Sequence, residues 1–161
     1  MGNEELWKMP PVAKVYEALG ALADGRVQLD SPAHARVTSS AGDKVYDVES
    51  GADGRTIFSN DNASYWQGYL GYPAIAVMIA RGLYRPDETV LAALRGIPWN
   101  DLNRRRRNNY ERAIADVIEA AERAGHDPER IQAEAEAVIA AVRALAPLRG
   151  PHRRPPRAIS K

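Results

Sequence analysis

Apolar positions recur at helical spacing directly after Pro10-Pro11. Val12, Val15, Tyr16, Leu19, Leu22 and Ala23 share one stripe, and Gly25 supplies a stop. The spacing predicts a helix over 11–23. The period then drops to two. Val27 and Leu29 alternate with polar neighbours, as do Ala33, Ala35 and Val37. Residues 44–49 and 55–59 read as two further strands, separated by the turn Ser50-Gly-Ala-Asp-Gly54. Connections this short join antiparallel neighbours, because a parallel crossover needs a dozen or more residues. The expectation is a three-stranded meander, with 26–30 as a candidate fourth strand.

The second half reads as helical. Ser64 opens a short helix to about Tyr69, weakened by Gly68 and Gly71. After Pro73, residues 74–80 are apolar all round, which on a helix implies burial all round. Pro86-Asp87-Glu88 starts another helix, with acids in the first turn where the dipole favours them. Pro98 precedes a long helix predicted over 99–124, stopped by Gly125. Asp127-Pro128 is a cap followed by a first helical residue, opening a last helix over 128–146 that Pro147 ends. The two long helices should form an antiparallel hairpin. The expected fold class is therefore α+β: an N-terminal helix, a small antiparallel β-meander of three or four strands, then a helical half ending in a long antiparallel helix hairpin. The expected organisation is an arm over 1–9, one globular domain over 10–148 and a basic Pro-rich tail over 149–161.

Composition narrows the function classes. The chain has 161 residues, 45% hydrophobic and 27% charged, enough to bury a core. No window approaches a membrane span and no secretory leader is recognisable, so no membrane partner is expected. The absence of Cys removes disulfides, thiolate metal sites and Cys nucleophiles. It fits a reducing, cytoplasmic setting. His34, His126 and His152 show no ligand spacing, and neither a phosphate-binding glycine pattern nor a nucleophile elbow is present. No metal, no cofactor and no catalytic residue is assigned, and a non-enzymatic role is the leading expectation.

The net charge of +1 conceals a separation. Residues 1–60 carry 6 basic and 9 acidic groups, whereas 151–161 carry 4 basic groups and no acid. Of the 22 basic residues 18 are Arg, and Ala occurs 27 times; a GC-rich genome would raise both counts without any function. That alternative stands beside each of the three local signals that follow.

The run Arg104-Arg105-Arg106-Arg107 suggests phosphate contacts, with Arg153, Arg154 and Arg157 in the tail as further cations. At about 100° per residue the four run arginines encircle a helix. Arg104 and Arg105 face solvent and Arg107 lies at the margin. Arg106 points into the stripe of Trp99, Leu102 and Val117, where it needs an acidic partner from the N-terminal half. Structural ion pairing is thus the plainer explanation of the run. The second signal is aromatic: Phe58, Tyr65, Trp66, Tyr69 and Tyr72 crowd one short span around Asn60-Asp61-Asn62. Asp61, Asn62, Tyr65, Trp66 and Tyr69 form a candidate small-molecule pocket. Its plainer reading is a core corner with hydrogen-bonded tyrosines. The third signal is Ala133, Ala137, Ala140 and Ala144, a second apolar face on the last helix and a candidate oligomer contact. Surface Ala, the best helix former, is its alternative.

The leading functional expectation is a binding or assembly protein, homo-oligomeric through the helical hairpin, with an accessory surface for nucleic acid or another polyanion. The alternative is a small-molecule-binding protein or enzyme with its site around residues 58–72.

Overall fold

The computed structural model describes residues 5–149. The fold is mixed α+β, with a six-stranded sheet and seven helical segments among the described residues. Helix α1 (Val12–Ala23) follows Pro11, whose extended φ and ψ of −59° and 148° set the chain up for the first helical turn. It ends at Asp24, and Gly25 takes a φ of +68° to turn the chain into the sheet. Strands β2 (Val27–Leu29), β3 (His34–Thr38), β4 (Val45–Ser50) and β5 (Thr56–Ser59) pair antiparallel in sequence order. The register Ala35↔Val48 and Val37↔Tyr46 puts all four of these side chains on the buried face.

The sheet is larger than the alternating pattern predicts. β1 (Glu5–Leu6) and β6 (Leu148–Arg149) extend it to the order β1-β6-β5-β4-β3-β2, with β6 parallel to β5 and antiparallel to β1. Residues 5, 6 and 149 therefore belong to the sheet rather than to an arm and a tail. Two-residue strands carry too little alternation to be read locally. Trp7 anchors this edge: its indole N–H donates to the Ile57 carbonyl at 2.8 Å, and the Arg149 guanidinium lies 4.8 Å from its ring centroid.

Helix α2 (Tyr72–Ala80) is buried from Pro73 to Ile79. It packs on strands β2 to β5 and on α1, and α1 in turn touches the outer helices. Fully burying residues such as Ile75, Val77 and Leu19 stabilises the fold by about 2 kcal/mol each. The outer helices are α3 (Glu88–Ala93), α4 (Trp99–Arg105), α5 (Tyr110–Arg123) and α6 (Pro128–Leu145). Asp87, Asn109 and Asp127 each cap a helix through the side chain. α5 and α6 are joined by a short link and pack on one another. No helix among the described residues is long and apolar enough to cross a membrane.

The helix expected over 99–124 is two helices. Arg107 and Asn108 stand in the left-handed region, with φ of 53° and 62°. Asn109 then caps α5 by accepting the Arg112 amide at 3.2 Å. Three consecutive signals for a turn and a cap outweigh the apolar periodicity here. The corner lets Trp99 and Leu102 on α4, and Ala113 and Val117 on α5, all reach the core. It also redirects Arg106. Its Nε and Nη2 donate to Asp116 at 2.6 and 2.8 Å, bridging the break. The partner is one helical segment away, not in the acidic N-terminal half, and the pair is half-exposed rather than buried.

Candidate functional site

The segment leaving β5 is held by a short chain of hydrogen bonds. The Asp61 carboxylate accepts the Ser64 hydroxyl at 2.8 Å and its amide at 3.1 Å. Ser64 Oγ in turn accepts the Gly71 amide at 3.1 Å. Asp61, Ser64 and Gly71 are all buried. Between them Ala63–Gln67 forms a π-helical turn, where a helix over 64–69 was expected. Such turns are rare and recur at functional sites. Gly68, with φ +77°, ends it. The result is that Trp66 projects from the surface at 68% exposure, with the Tyr65 ring edge-on against it at 4.5 Å.

This segment forms one wall of an open cleft of about 530 Å³. The opposite wall is α4 and its corner, which contribute Asn100, Asn103, Arg104, Arg107 and Asn108. The buried side comes from α1. Lys14 and Glu17, spaced i and i+3, form an ion pair at 3.4 Å with side-chain exposures of 12% and 7%. Asn103 Nδ2 donates to the other Glu17 oxygen at 3.1 Å, and the Lys14 ammonium lies 4.7 Å from the Tyr110 ring centroid. Asp43 and Lys44 from the β3–β4 turn, and Tyr46 from β4, complete the lining.

Electrostatics in the cleft follow from burial and neighbours. Burial pushes the Glu17 carboxyl above its ordinary value, against the pull of Lys14 and Asn103. Burial also works against the Lys14 charge, but Glu17, Tyr110 and Tyr69 together outweigh it and leave Lys14 above its ordinary value. The Tyr46 hydroxyl is pushed up to about 12, first by burial and then by Asp61, Asp43 and Glu17. Tyr72 is raised too, chiefly by burial and then by Tyr46. Both phenols are therefore neutral hydrogen-bond donors at physiological pH.

Two signals that the sequence presented separately meet here. Asp61, Asn62, Trp66 and Tyr69 line the cleft; Tyr65 does not, and supports Trp66 instead. Arg104 and Arg107 line the same cleft from the other side. Arg105 does not join them: it belongs to a separate pocket with Arg106, Asp116 and Arg123. Arg153, Arg154 and Arg157 lie outside the described residues. Lys14 and Glu17 escaped the sequence reading, although two charges inside the apolar run Val12–Ala23 were an available signal. The carboxamides of Asn100 and Asn103 carried none.

The alanine face of α6 lies apart from the cleft. Ala133, Ala140 and Ala144 are exposed and Ala137 is half-buried. Glu134 is buried against α3, where it accepts the Tyr84 hydroxyl and the Asp87 amide, each at 2.5 Å. Among the described residues no group of three or more His, Cys, Asp or Glu is placed to hold a metal ion.

No curated protein and no solved structure matches this chain. A family does match, over residues 7–147, a span that takes in every element from α1 to α6 and the whole lining of the cleft. The chain belongs to the family of the uncharacterised conserved protein UCP014422.

Proposed function

We propose that this is a small-molecule-binding protein whose ligand occupies the cleft between α1, the 61–72 segment and the α4–α5 corner. The observation that carries the reading is convergence: residues from α1, β4, the π-helical turn, α4 and α5 meet around one open cavity. About 530 Å³ falls within the range of roughly 300–1,000 Å³ typical of small-molecule sites. The lining sets the ligand's character. Carboxamides, phenols and charged groups dominate it, so the ligand is polar, with several hydrogen-bonding groups. Trp66 offers an exposed ring face at the mouth. This reading is preferred over a nucleic-acid surface because the two cleft-facing arginines sit beside a concavity, and the whole chain carries a net charge of only +1.

A thermal-shift screen of polar metabolites against the full chain tests it, with hits located by amide chemical shifts. The expected result is a compound that raises the melting temperature and perturbs Asn103, Trp66 and Tyr69 together. Hits that perturb only residues outside the cleft would overturn the reading.

A second reading, self-association through α6, draws on the exposed Ala133, Ala140 and Ala144. Sedimentation of the wild type and of Ala140→Arg tests it: a dimer that the substitution dissociates supports it, and a wild-type monomer ends it.

A further inference from the structure

We propose that the α4–α5 corner is an anion clamp: Arg107, with Arg104 and Lys44, takes a phosphoryl group carried by the ligand of the cleft. The inference rests on the small-molecule reading above and adds the ligand's chemical class.

The first support is the balance of charge inside the cleft. Every acid there already has donors from the protein. Glu17 is paired with Lys14 and Asn103. Asp61 takes the Ser64 amide and hydroxyl. Asp43 accepts the Ser39 hydroxyl at 2.9 Å. The outer cations are different. Among the described residues the Arg107 guanidinium and the Lys44 ammonium have no ion-pair partner, and Arg104 has a single contact at 3.9 Å to the exposed Asp101. Arg106, the neighbour that does not line the cleft, is the one locked by an acid. The run thus divides into a structural arginine, Arg106, and two cleft-facing arginines that are loosely held (Arg104) or without an ion pair among the described residues (Arg107). Arg107 and Lys44, with no ion-pair partner among the described residues, and Arg104, with one long contact, approach one cavity from two sides and match a group with three or more oxygens and negative charge. A phosphoryl group has that character, and a guanidinium fork binds two of its oxygens at once.

The second support is the backbone. Arg107 and Asn108 are consecutive residues in the left-handed region, a conformation that L side chains resist. Elsewhere among the described residues this need is met mostly by glycine, at seven positions from Gly25 to Gly125. Ala146, at the end of α6, is the third non-glycine example. At the corner both residues carry long or polar side chains, and both line the cleft. The two left-handed residues break the helix at this point, so Arg107 and Asn108 border the cleft rather than continue along α4.

Inorganic pyrophosphate is the probe, with a short single-stranded oligonucleotide as the comparison, followed by amide chemical shifts and calorimetry on the full chain. Pyrophosphate is expected to shift Arg104, Arg107 and Lys44 at millimolar concentration and to lose affinity with added salt. Arg107→Gly is expected to raise the melting temperature, by relieving strain, while weakening pyrophosphate about tenfold, the loss of one charge-assisted contact. Asn108→Gly relieves strain but keeps the guanidinium, so it separates the two effects: the melting temperature rises and most of the affinity remains. Arg105→Ala leaves binding unchanged. The proposal is overturned if wild type shows no shifts with pyrophosphate, or if Arg107→Gly binds it as well as wild type does. A neutral compound that binds the cleft, insensitive to Arg107→Gly, would overturn the clamp and leave the small-molecule reading intact. Corner shifts with the oligonucleotide alone would overturn both.

Discussion

Asp61 and Gly71 are packed so tightly that a Cβ on residue 71 would lie 2.5 Å from Asp61 Cγ and overlap the carboxylate itself. Gly71 has an ordinary φ of −77°, so its lack of a side chain serves space, not backbone freedom. Gly71→Ala is expected to cost about 3 kcal/mol by urea denaturation, from overpacking at a buried site. Asp61→Ala alone should cost about 2 kcal/mol, because the Ser64 amide and hydroxyl lose their acceptor. The double variant should be less destabilised than the sum, since removing the carboxylate makes room for the new methyl.

The Arg106–Asp116 bridge ties α4 to α5 across the strained corner. Arg106→Ala and Asp116→Asn should each lower the melting temperature, and combining them should add little to either alone. Arg104→Ala and Arg105→Ala should leave it unchanged. Hydrogen bonding from Arg106 holds the Asp116 carboxyl below its ordinary value. A depressed carboxyl contributes stability above its unfolded value near 3.9, and loses it as pH falls through the folded one. Wild type should therefore lose stability in acid more steeply than Asp116→Asn does.

Lys14 and Glu17 form the buried pair of the cleft, and removing one partner strands the other. Lys14→Met should cost about 3 kcal/mol at neutral pH, read by chemical denaturation. Without Lys14 the Glu17 carboxyl rises further, because burial is then less opposed. A raised carboxyl destabilises the fold above its unfolded value near 4.3 and ceases to do so as pH falls below it. The deficit of Lys14→Met should accordingly shrink in acid. In wild type the raised Lys14 has the opposite window: its contribution is complete below the ordinary lysine value and is lost as pH rises through the folded one. Glu17→Gln should bring Lys14 below that ordinary value, measurable by titrating its side-chain carbon shifts.

Trp66 is 68% exposed, whereas Trp7 and Trp99 are 6% and 3%. Acrylamide quenching of tryptophan fluorescence should therefore report mainly Trp66 and nearly vanish in Trp66→Phe. Trp66→Ala should change stability by no more than about 0.5 kcal/mol, as for other surface substitutions. It should nevertheless weaken any cleft ligand that uses the ring face, checked by calorimetry with hits from the metabolite screen.

Much of the secondary structure was legible because its signals are local. Pro11, Asp87, Asp127 and Gly25 mark helix ends through their own backbone and side-chain chemistry, and they do so in the fold. The all-apolar run after Pro73 is buried as its pattern requires. The long helix failed at Arg107 for a related reason: a regular apolar period on both sides of the corner masked the left-handed tendency of Asn108 and the capping role of Asn109. Strands β1 and β6 were invisible because two residues cannot display a period, and their pairing joins segments more than 140 residues apart, Glu5 with Arg149 and Leu6 with Leu148.

The candidate site divides along the same line. The sequence by itself determined which side chains carry chemistry: the aromatics after Asp61, the arginine run, and a chain able to bury a core. It could not decide which of them meet, because that depends on how α1, the 61–72 segment and the α4–α5 corner pack. Only the tertiary structure placed Arg104 and Arg107 opposite Trp66, turned Arg106 away to Asp116, and brought Glu17 from α1 against Asn103. Local rules act over a few residues along the chain; convergence of side chains 86 positions apart is set by burial of the shared core.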